Sequence, residues 1–121
     1  MPRILIIDNN VDEADSLASL LQATGHHKAR VARTGKSALV VAAEFLPTVV
    51  LMDLNLADMS AYDVARILSQ HPQLQDLRLI ALSDGGRHPG RERAREAGFE
   101  RYLLKPVVAA ALDRLLTRPV A

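Results

Sequence analysis

Two aspartates, a serine and a lysine each stand at the end of a short apolar run: RILII leads to Asp8, VVLM to Asp53, LIAL to Ser83 and YLL to Lys105. Runs of this length and composition are typical of buried strands. If the strands are neighbours in one parallel sheet, their carboxyl ends share an edge, where open α/β sheets place their sites. Two carboxylates, a hydroxyl and an ammonium in one cleft would suit a divalent cation and a phosphoryl group.

Each of these residues also has an ordinary structural interpretation. An aspartate after a strand often caps the next helix, Ser83 could cap a turn, and a lysine before proline is usually exposed to solvent. Two adjacent carboxylates repel each other, so the pair persists only where a cation or a lysine neutralises it. The joint spacing of the four residues, rather than any one of them, therefore carries the functional interpretation.

The segments between the apolar runs predict five βα units in a single doubly wound α/β domain, with right-handed crossovers and helices on both faces of the sheet. The second strand is polar, which indicates a sheet edge. The predicted strands are 3–8, 28–32, 48–53, 78–83 and 101–104. The first, third and fifth predicted helices begin at Asn10, Ser60 and Pro106. The second and fourth predicted helices cover 35–45 and 89–97.

Helical periodicity predicts which side chains of four helices face the core. The predicted faces are Ala14, Leu17, Ala18 and Leu21; Ala38, Leu39 and Ala42; Val64, Ile67 and Leu68; and Val108, Ala111, Leu112 and Leu115. Asn10 with Glu13 and Ser60 with Asp63 have the spacing of a capping box. Gly25, Pro47 and Gly98 are expected to end helices.

The composition is that of one soluble domain covering residues 1–121, with 49% apolar residues and a net charge of +1. The absence of cysteine excludes disulfides and thiolate metal sites. The balanced charge and 3% aromatic content argue against direct binding to nucleic acid or to a membrane. Because we find neither a signal-peptide pattern nor a long apolar stretch, we expect a cytoplasmic protein.

The ordered motifs ILIIDNNVDEADSLASLL, VVLMDLNLADMSAYDVARIL, LIALSD and EAGFERYLLKPV resemble the receiver domain of two-component response regulators. The resemblance covers nearly the whole chain and is strongest to receivers fused to hybrid histidine kinases. It implies a flavodoxin-like (βα)5 domain whose parallel strands lie in the order 2-1-3-4-5.

The resemblance also implies roles for the polar residues. Asp53 would be the phosphoacceptor that attacks a phosphohistidine, and Asp8 would hold Mg²⁺ together with Asp53 and the backbone carbonyl of Asn55. Lys105 would pair with the acceptor and then with a phosphoryl oxygen. Ser83 would be the hydroxyl that moves to bind the phosphoryl group.

The implied output is a change of surface, so the chain is expected to be a phosphoacceptor and not an enzyme. Tyr102 matches the aromatic residue of strand five that changes exposure when Ser83 moves. The face of helix four, strand five and helix five would then dock a downstream protein, an attached kinase or output domain, or a second copy of the chain. The phosphoryl donor would be a sensor histidine kinase or a histidine phosphotransfer domain.

The arginine-rich segment RHPGRERAREAGFER lies on the same expected face. It contains Arg87, Arg91, Arg93, Arg95 and Arg101, interspersed with glutamates. A solvated helix face is one interpretation, and a basic surface for an acidic partner is the other.

Three residues depart from the family pattern. Asn9 stands where most receivers have a second acidic residue, and one charge pair at 4 Å is worth roughly 4 kcal/mol at an effective dielectric near 20, before desolvation is subtracted. We therefore expect Mg²⁺ to bind weakly, or, in the alternative interpretation, a degenerate receiver that acts without phosphate. Ala57 and Ala61 replace the usual Pro and Gly, so the family pattern does not predict the backbone geometry of the turn after Asp53.

Two other classes of protein fit the residues less well. A phosphatase that forms an aspartyl phosphate would be expected to have an acidic residue at position 55, which is Asn. A flavin-binding electron carrier needs a phosphate-binding first loop rich in Ser, Thr or Gly, whereas DNNVDEAD is acidic.

Overall fold

The computed structural model describes residues 2–25, 28–85 and 91–117. In this part of the chain five strands alternate with five α-helices, as the sequence predicts. The elements are β1 (Arg3–Ile7), α1 (Val11–Gly25), β2 (Lys28–Ala32), α2 (Gly35–Phe45), β3 (Val49–Asp53), α3 (Ala61–Ser69), β4 (Arg78–Ser83), α4 (Arg91–Glu96), β5 (Phe99–Leu104) and α5 (Ala109–Thr117). Arg87 and the first two residues of the predicted fourth helix lie outside the described residues.

The five strands form one parallel sheet in the order β2-β1-β3-β4-β5, which confirms the predicted topology. β3 is buried along its whole length because helices cover both of its faces, whereas β2, at the sheet edge, alternates between exposed and half-buried positions until its buried last residue, Ala32. In this register Asp53 lies beside Leu82 and Ser83 beside Leu104. The carboxyl ends of the strands therefore share one edge.

Alternate side chains of each strand enter two cores, one on each face of the sheet. Leu5 and Ile7 pack towards α2 and α3, while Ile4 and Ile6 pack towards α1 and α5. Each fully buried aliphatic side chain contributes about 1.5–3 kcal/mol of transfer free energy. These cores hold the strand ends rigidly, which fixes the relative positions of the polar residues that follow them.

Two predictions about helix faces were wrong. Ile67 is 46% exposed because it lies outside the face of α3 that packs into the core. That face includes Ala61, Val64, Ala65 and Leu68. Val108 is 64% exposed, since α5 begins at Ala109 and not at Pro106. The carbonyl of Val108 accepts the first helical hydrogen bond, from the amide of Leu112. The Lys105–Pro106 peptide bond, which is cis, precedes this turn.

The helix ends follow local side-chain chemistry. The amide of Glu13 donates to Asn10 Oδ1 at 3.2 Å, and the amide of Tyr62 donates to Ser60 Oγ at 3.2 Å, so both predicted N-caps are confirmed. The Asp63 carboxylate pairs with Arg66 instead of completing a capping box. Gly98 has a φ of 107°, which only glycine adopts readily, and it follows α4 as predicted.

Candidate functional site

Three of the predicted site residues are in direct contact at the carboxyl edge of the sheet. Lys105 Nζ donates to Asp8 Oδ2 and to Asp53 Oδ2, both at 2.9 Å. Lys105 follows β5, whereas the aspartates lie at the ends of β1 and β3, so the fold joins residues almost a hundred positions apart. The predicted convergence of the strand ends is what the structure shows.

The two aspartates are held in the same way. Asp8 Oδ1 accepts from the amide of Asn10 at 2.9 Å, and Asp53 Oδ1 accepts from the amide of Asn55 at 2.8 Å. These are Asx turns, in which a carboxylate bonds the backbone two residues on. In each aspartate one oxygen therefore fixes the side chain while the other reaches Lys105.

Burial and charge act in opposite directions on these groups. Asp8 is 2% exposed and Asp53 is 6% exposed. Burial raises the pKa of Asp8, and the nearby Asp53 raises it further. Burial also raises the pKa of Asp53, but hydrogen bonds from Lys105 and the Asn55 amide outweigh it, so the pKa of Asp53 lies below its usual value. Asp53 is therefore an ionised carboxylate at neutral pH.

The lysine is correspondingly stabilised as an ammonium. Burial lowers the pKa of Lys105, but its hydrogen bonds to Asp53, Asp8 and Glu13 more than reverse this effect and raise that pKa above its ordinary value. Lys105 thus neutralises part of the charge of the aspartate pair, as two adjacent carboxylates require.

Ser83 lies at the adjacent strand end and is completely buried. Its Oγ accepts from the amide of Gly85 at 3.1 Å, and its carbonyl accepts from the amide of Lys105 at 2.7 Å. The Ser83 backbone is therefore tied directly to the lysine. Tyr102 is half-buried on β5 and packs against the core beneath α3 and α4.

The oxygen-rich end of the site is chemically suited to Mg²⁺. Asn9 and Asn55 are exposed beside the two buried aspartates. Within residues 2–25, 28–85 and 91–117, no three His, Cys, Asp or Glu side chains lie close enough to form a metal site by themselves. Mg²⁺ takes one or two carboxylates and keeps several waters. The Asp8 and Asp53 carboxylates are therefore chemically suited to Mg²⁺ with water as further ligands.

The turn after Asp53 is held by a residue that sequence reasoning missed. Asp58 accepts hydrogen bonds from the amides of Gly35 and Lys36, at 2.8 and 3.0 Å, and so binds the first turn of α2. A Cβ at Gly35 would lie 3.0 Å from Met59 Cβ, so a larger residue there would push Met59 away by a few tenths of an ångström. Ala61 is the first, buried residue of α3 and has no positive φ. The turn is therefore built without the usual Pro and Gly.

Replacing Asp58 with Ala is expected to loosen this turn and to lower the melting temperature at neutral pH. The hydrogen bonds from Gly35 and Lys36 lower the pKa of Asp58, so its stabilising effect is present above its unfolded pKa and is lost as the pH falls through the lower folded value. Thermal melts across this range, with hydrogen exchange at the two amides, measure both effects. Equal exchange rates in the variant and the wild type would contradict the anchoring role.

A second acidic residue that was not predicted as part of the site also contacts the lysine. Glu13, in the first turn of α1, accepts from Lys105 Nζ at 3.1 Å. It borders an open groove of about 550 Å³ that is also lined by Asp8, Asp12, Leu17, Lys105 and Pro106. The sequence signal for Glu13 was its place three residues after Asn10, which was interpreted only as part of a capping box.

One arginine of the segment for which a solvated face and a basic surface were both considered makes a contact within the molecule. The Arg93 guanidinium lies 4.9 Å from the centroid of the Tyr62 ring, which is a cation–π contact between α4 and α3. Tyr62 also packs edge-on against Phe99. Arg95 and Arg101 are exposed, and Arg95 lies 4.0 Å from Glu92. Arg93 therefore helps to fix α4 on the domain.

Comparisons with known proteins agree with this fold. A family model of the response regulator receiver domain matches residues 4–117. The polar-differentiation response regulator DivK of Brucella anthropi is 31% identical over 108 residues, which are 88% of this chain and 87% of that protein. DivK of Brucella ovis is 30% identical over 104 residues, which are 86% of this chain and 84% of that protein.

Solved structures give the same result. A putative response regulator from Chloroflexus aurantiacus has a TM-score of 0.85 and 26% identity, and covers 95% of this chain and 93% of its own. The chemotaxis response regulator CheY4 of Vibrio cholerae, at 20% identity, has a TM-score of 0.86 over 98% of both chains and shows the shared fold.

This chain belongs to the response regulator receiver domain family and is a receiver of two-component signalling. Receivers of this family interact with histidine kinases or phosphotransfer proteins and with downstream partners. In the described ranges no helix is long and apolar enough to cross a membrane. The specific likeness to receivers of hybrid kinases stays a prediction.

Proposed function

We propose that this receiver accepts a phosphoryl group from a phosphohistidine onto Asp53. The carrying observation is the Asp53 carboxylate, which accepts hydrogen bonds from the Asn55 amide and from Lys105 at the carboxyl edge of the sheet. One carboxylate oxygen would attack phosphorus while the P–N bond to the donor imidazole breaks. The products are an acyl phosphate on Asp53 and a histidine whose ring nitrogen takes a proton from water.

The protein's contribution to such a transfer is alignment and charge neutralisation. The Asx turn aligns the carboxylate, and Lys105 offers an ammonium to a phosphoryl oxygen. When bound, Mg²⁺ would supply further charge neutralisation, and the groups proposed to hold it are Asp8, Asp53 and the carbonyl of Asn55. Asn9 would contribute at most a neutral oxygen, so binding would be weak.

The proposed switch begins at Ser83 and ends at the surface of α4, β5 and α5. The Ser83 hydroxyl would move to the new phosphoryl group, and the half-buried Tyr102 would change its exposure. Arg93 and Tyr62 connect α4 to α3, so a movement of α4 would disturb this pair. The partner there would be a downstream protein, an attached kinase or output domain, or a second copy of this chain.

The chain itself would be a phosphoacceptor and not an enzyme, and its donor would be a sensor histidine kinase or a histidine phosphotransfer domain. The proposed location of this reaction is the cytoplasm. Direct binding to nucleic acid or to membranes is not part of the proposal, which agrees with the net charge of +1.

Incubation with a small phosphodonor and Mg²⁺ is expected to add the mass of one phosphoryl group to the intact protein. The gain should need Mg²⁺ and should disappear in Asp53→Asn, which keeps the side-chain shape but removes the nucleophile. Asp63→Asn, on the exposed surface of α3, is the matched control and should be phosphorylated normally.

Failure of the wild-type protein to gain mass with both a small phosphodonor and a phosphorylated histidine domain would overturn the proposal. The alternative of a receiver that acts without phosphate would then be favoured, since Asn9 removes one acidic residue. A gain that survives Asp53→Asn would place the acceptor elsewhere.

A further inference from the structure

Lys105 has three hydrogens on its ammonium and three carboxylate neighbours. Two neighbours are the buried aspartates, and the third is Glu13 on α1, whose Oε2 lies 3.1 Å from Nζ. The lysine side chain is only 18% exposed, so few water molecules compete for these bonds. Glu13 is 55% exposed and approaches from the rim of the groove. The ammonium is thereby bound by carboxylates from β1, β3 and α1.

The charges around the site also depend on Glu13. Asn9, next to Asp8, is neutral, so the aspartates and Lys105 alone would carry a net charge of −1 when all three are ionised. Glu13 adds a further negative charge beside Lys105. Glu13 Oε2 and the aspartate Oδ2 atoms all contact the same atom, Lys105 Nζ, at 3.1 Å and 2.9 Å respectively. The distance from Oε2 to either aspartate oxygen is therefore at most the sum of these two contact distances. At this range a carboxylate still attracts a divalent cation without being its ligand.

We propose that Glu13 is a positioning residue of the acceptor site, which holds the Lys105 ammonium against Asp8 and Asp53 and adds the negative charge that Asn9 lacks. The inference rests on the proposed phosphoacceptor function and deepens it. Glu13 acts through Lys105 and through charge, and it is not a metal ligand, which agrees with the lack of a three-carboxylate metal cluster in the described residues.

This arrangement has a consequence for the phosphorylated state. When Asp53 carries a phosphoryl group, its hydrogen bond to Lys105 must be exchanged for one to a phosphoryl oxygen. Asp8 and Glu13 would keep the ammonium in place during that exchange. Without Glu13, the long and flexible side chain of Lys105 would be held by the Asp8 carboxylate alone.

The test compares Glu13→Gln with the wild-type protein in the absence of any phosphodonor. Gln keeps the side-chain size and the helix, and the hydrogen bond from the Glu13 amide to Asn10 is a backbone donation that the change leaves intact. We expect faster proton exchange and a shifted NMR resonance at the Lys105 ammonium. Mn²⁺ serves as a paramagnetic probe in place of Mg²⁺, and its binding is measured by electron paramagnetic resonance. We expect Glu13→Gln to bind Mn²⁺ about threefold to tenfold more weakly than the wild type.

Asp15→Asn is the matched control, because it removes one negative charge from an exposed position of the same helix. It should leave the Lys105 resonance unchanged and alter Mn²⁺ affinity less than twofold. Adding Asn9→Asp to Glu13→Gln separates the two roles. The double variant should regain Mn²⁺ affinity, since the charge is restored, but it should not regain the Lys105 signature.

An unchanged Lys105 resonance in Glu13→Gln would overturn the positioning role, and an Mn²⁺ affinity equal to that of Asp15→Asn would overturn the charge role. Neither measurement uses phosphate. Each can therefore fail while Asp53 is phosphorylated normally, and each can succeed where phosphorylation fails.

Discussion

Lys105→Met is expected to slow phosphorylation of Asp53 by about 10²-fold, which is the usual effect of removing one preorganised charge from a reacting centre. Met keeps most of the length of the lysine stem and removes only the ammonium. The rate of mass gain with a small phosphodonor and saturating Mg²⁺ measures the change. Lys28→Met, at the exposed start of β2, is the matched control and should react at the wild-type rate.

The same substitution is expected to lower the free energy of unfolding by about 2 kcal/mol at neutral pH, because it leaves two buried carboxylates without their cation. Without Lys105 the folded pKa of Asp53 should rise above its unfolded value, and that of Asp8, which is already raised, should rise further. Such groups favour folding below the unfolded pKa, near 3.8, and oppose it as the pH rises through the folded pKa. The deficit should therefore shrink as the pH falls towards about 4.

Urea titrations of the variant and the wild type at several pH values test this expectation. Added Mg²⁺ should also recover part of the lost stability, since it replaces the missing positive charge. A deficit that is constant with pH would show that the loss comes from packing of the side chain and not from the aspartate charges.

Asp8→Asn is expected to have opposite effects on stability and on metal binding. Burial, with the nearby Asp53, raises the pKa of Asp8, so the charged form opposes folding at neutral pH. The neutral amide should therefore raise the free energy of unfolding at neutral pH. The gain should disappear as the pH falls through the folded pKa of the wild-type aspartate, because that group then becomes neutral as well.

The same change should weaken Mg²⁺ binding by about 10²-fold, since it removes one of two carboxylates that face the cation. Chemical denaturation and isothermal titration calorimetry measure the two effects. Asp12→Asn, on the groove rim, is the control for charge alone and should change both quantities much less. A variant that is less stable than the wild type would contradict the unfavourable effect of the buried Asp8 charge on folding. The expected gain in stability would make the site an arrangement that serves function and lowers stability.

Local sequence patterns determined most of the elements of this receiver. The apolar runs gave the strands, since a buried strand in a parallel sheet must be apolar on both faces. Asn10 and Ser60 marked helix starts because their side chains can bond backbone amides only at such ends. The meeting of Asp8, Asp53 and Lys105 could be predicted in the same way, because residues at the carboxyl ends of parallel strands share an edge, where Ser83 also lies.

The tertiary structure decided what depends on distances between elements. Ile67 and Val108 fit the helical period but are exposed, since the helix bounds and the packing of neighbours determine which face is covered. The role of Asp58 depends on its reaching α2, and the contact of Glu13 with Lys105 depends on how α1 lies against the turn after β5. Such contacts join residues far apart in the chain, and their distances are set by the packed cores between them. A single sequence therefore predicts the elements and the candidate nucleophile, whereas only the fold determines which side chains surround it.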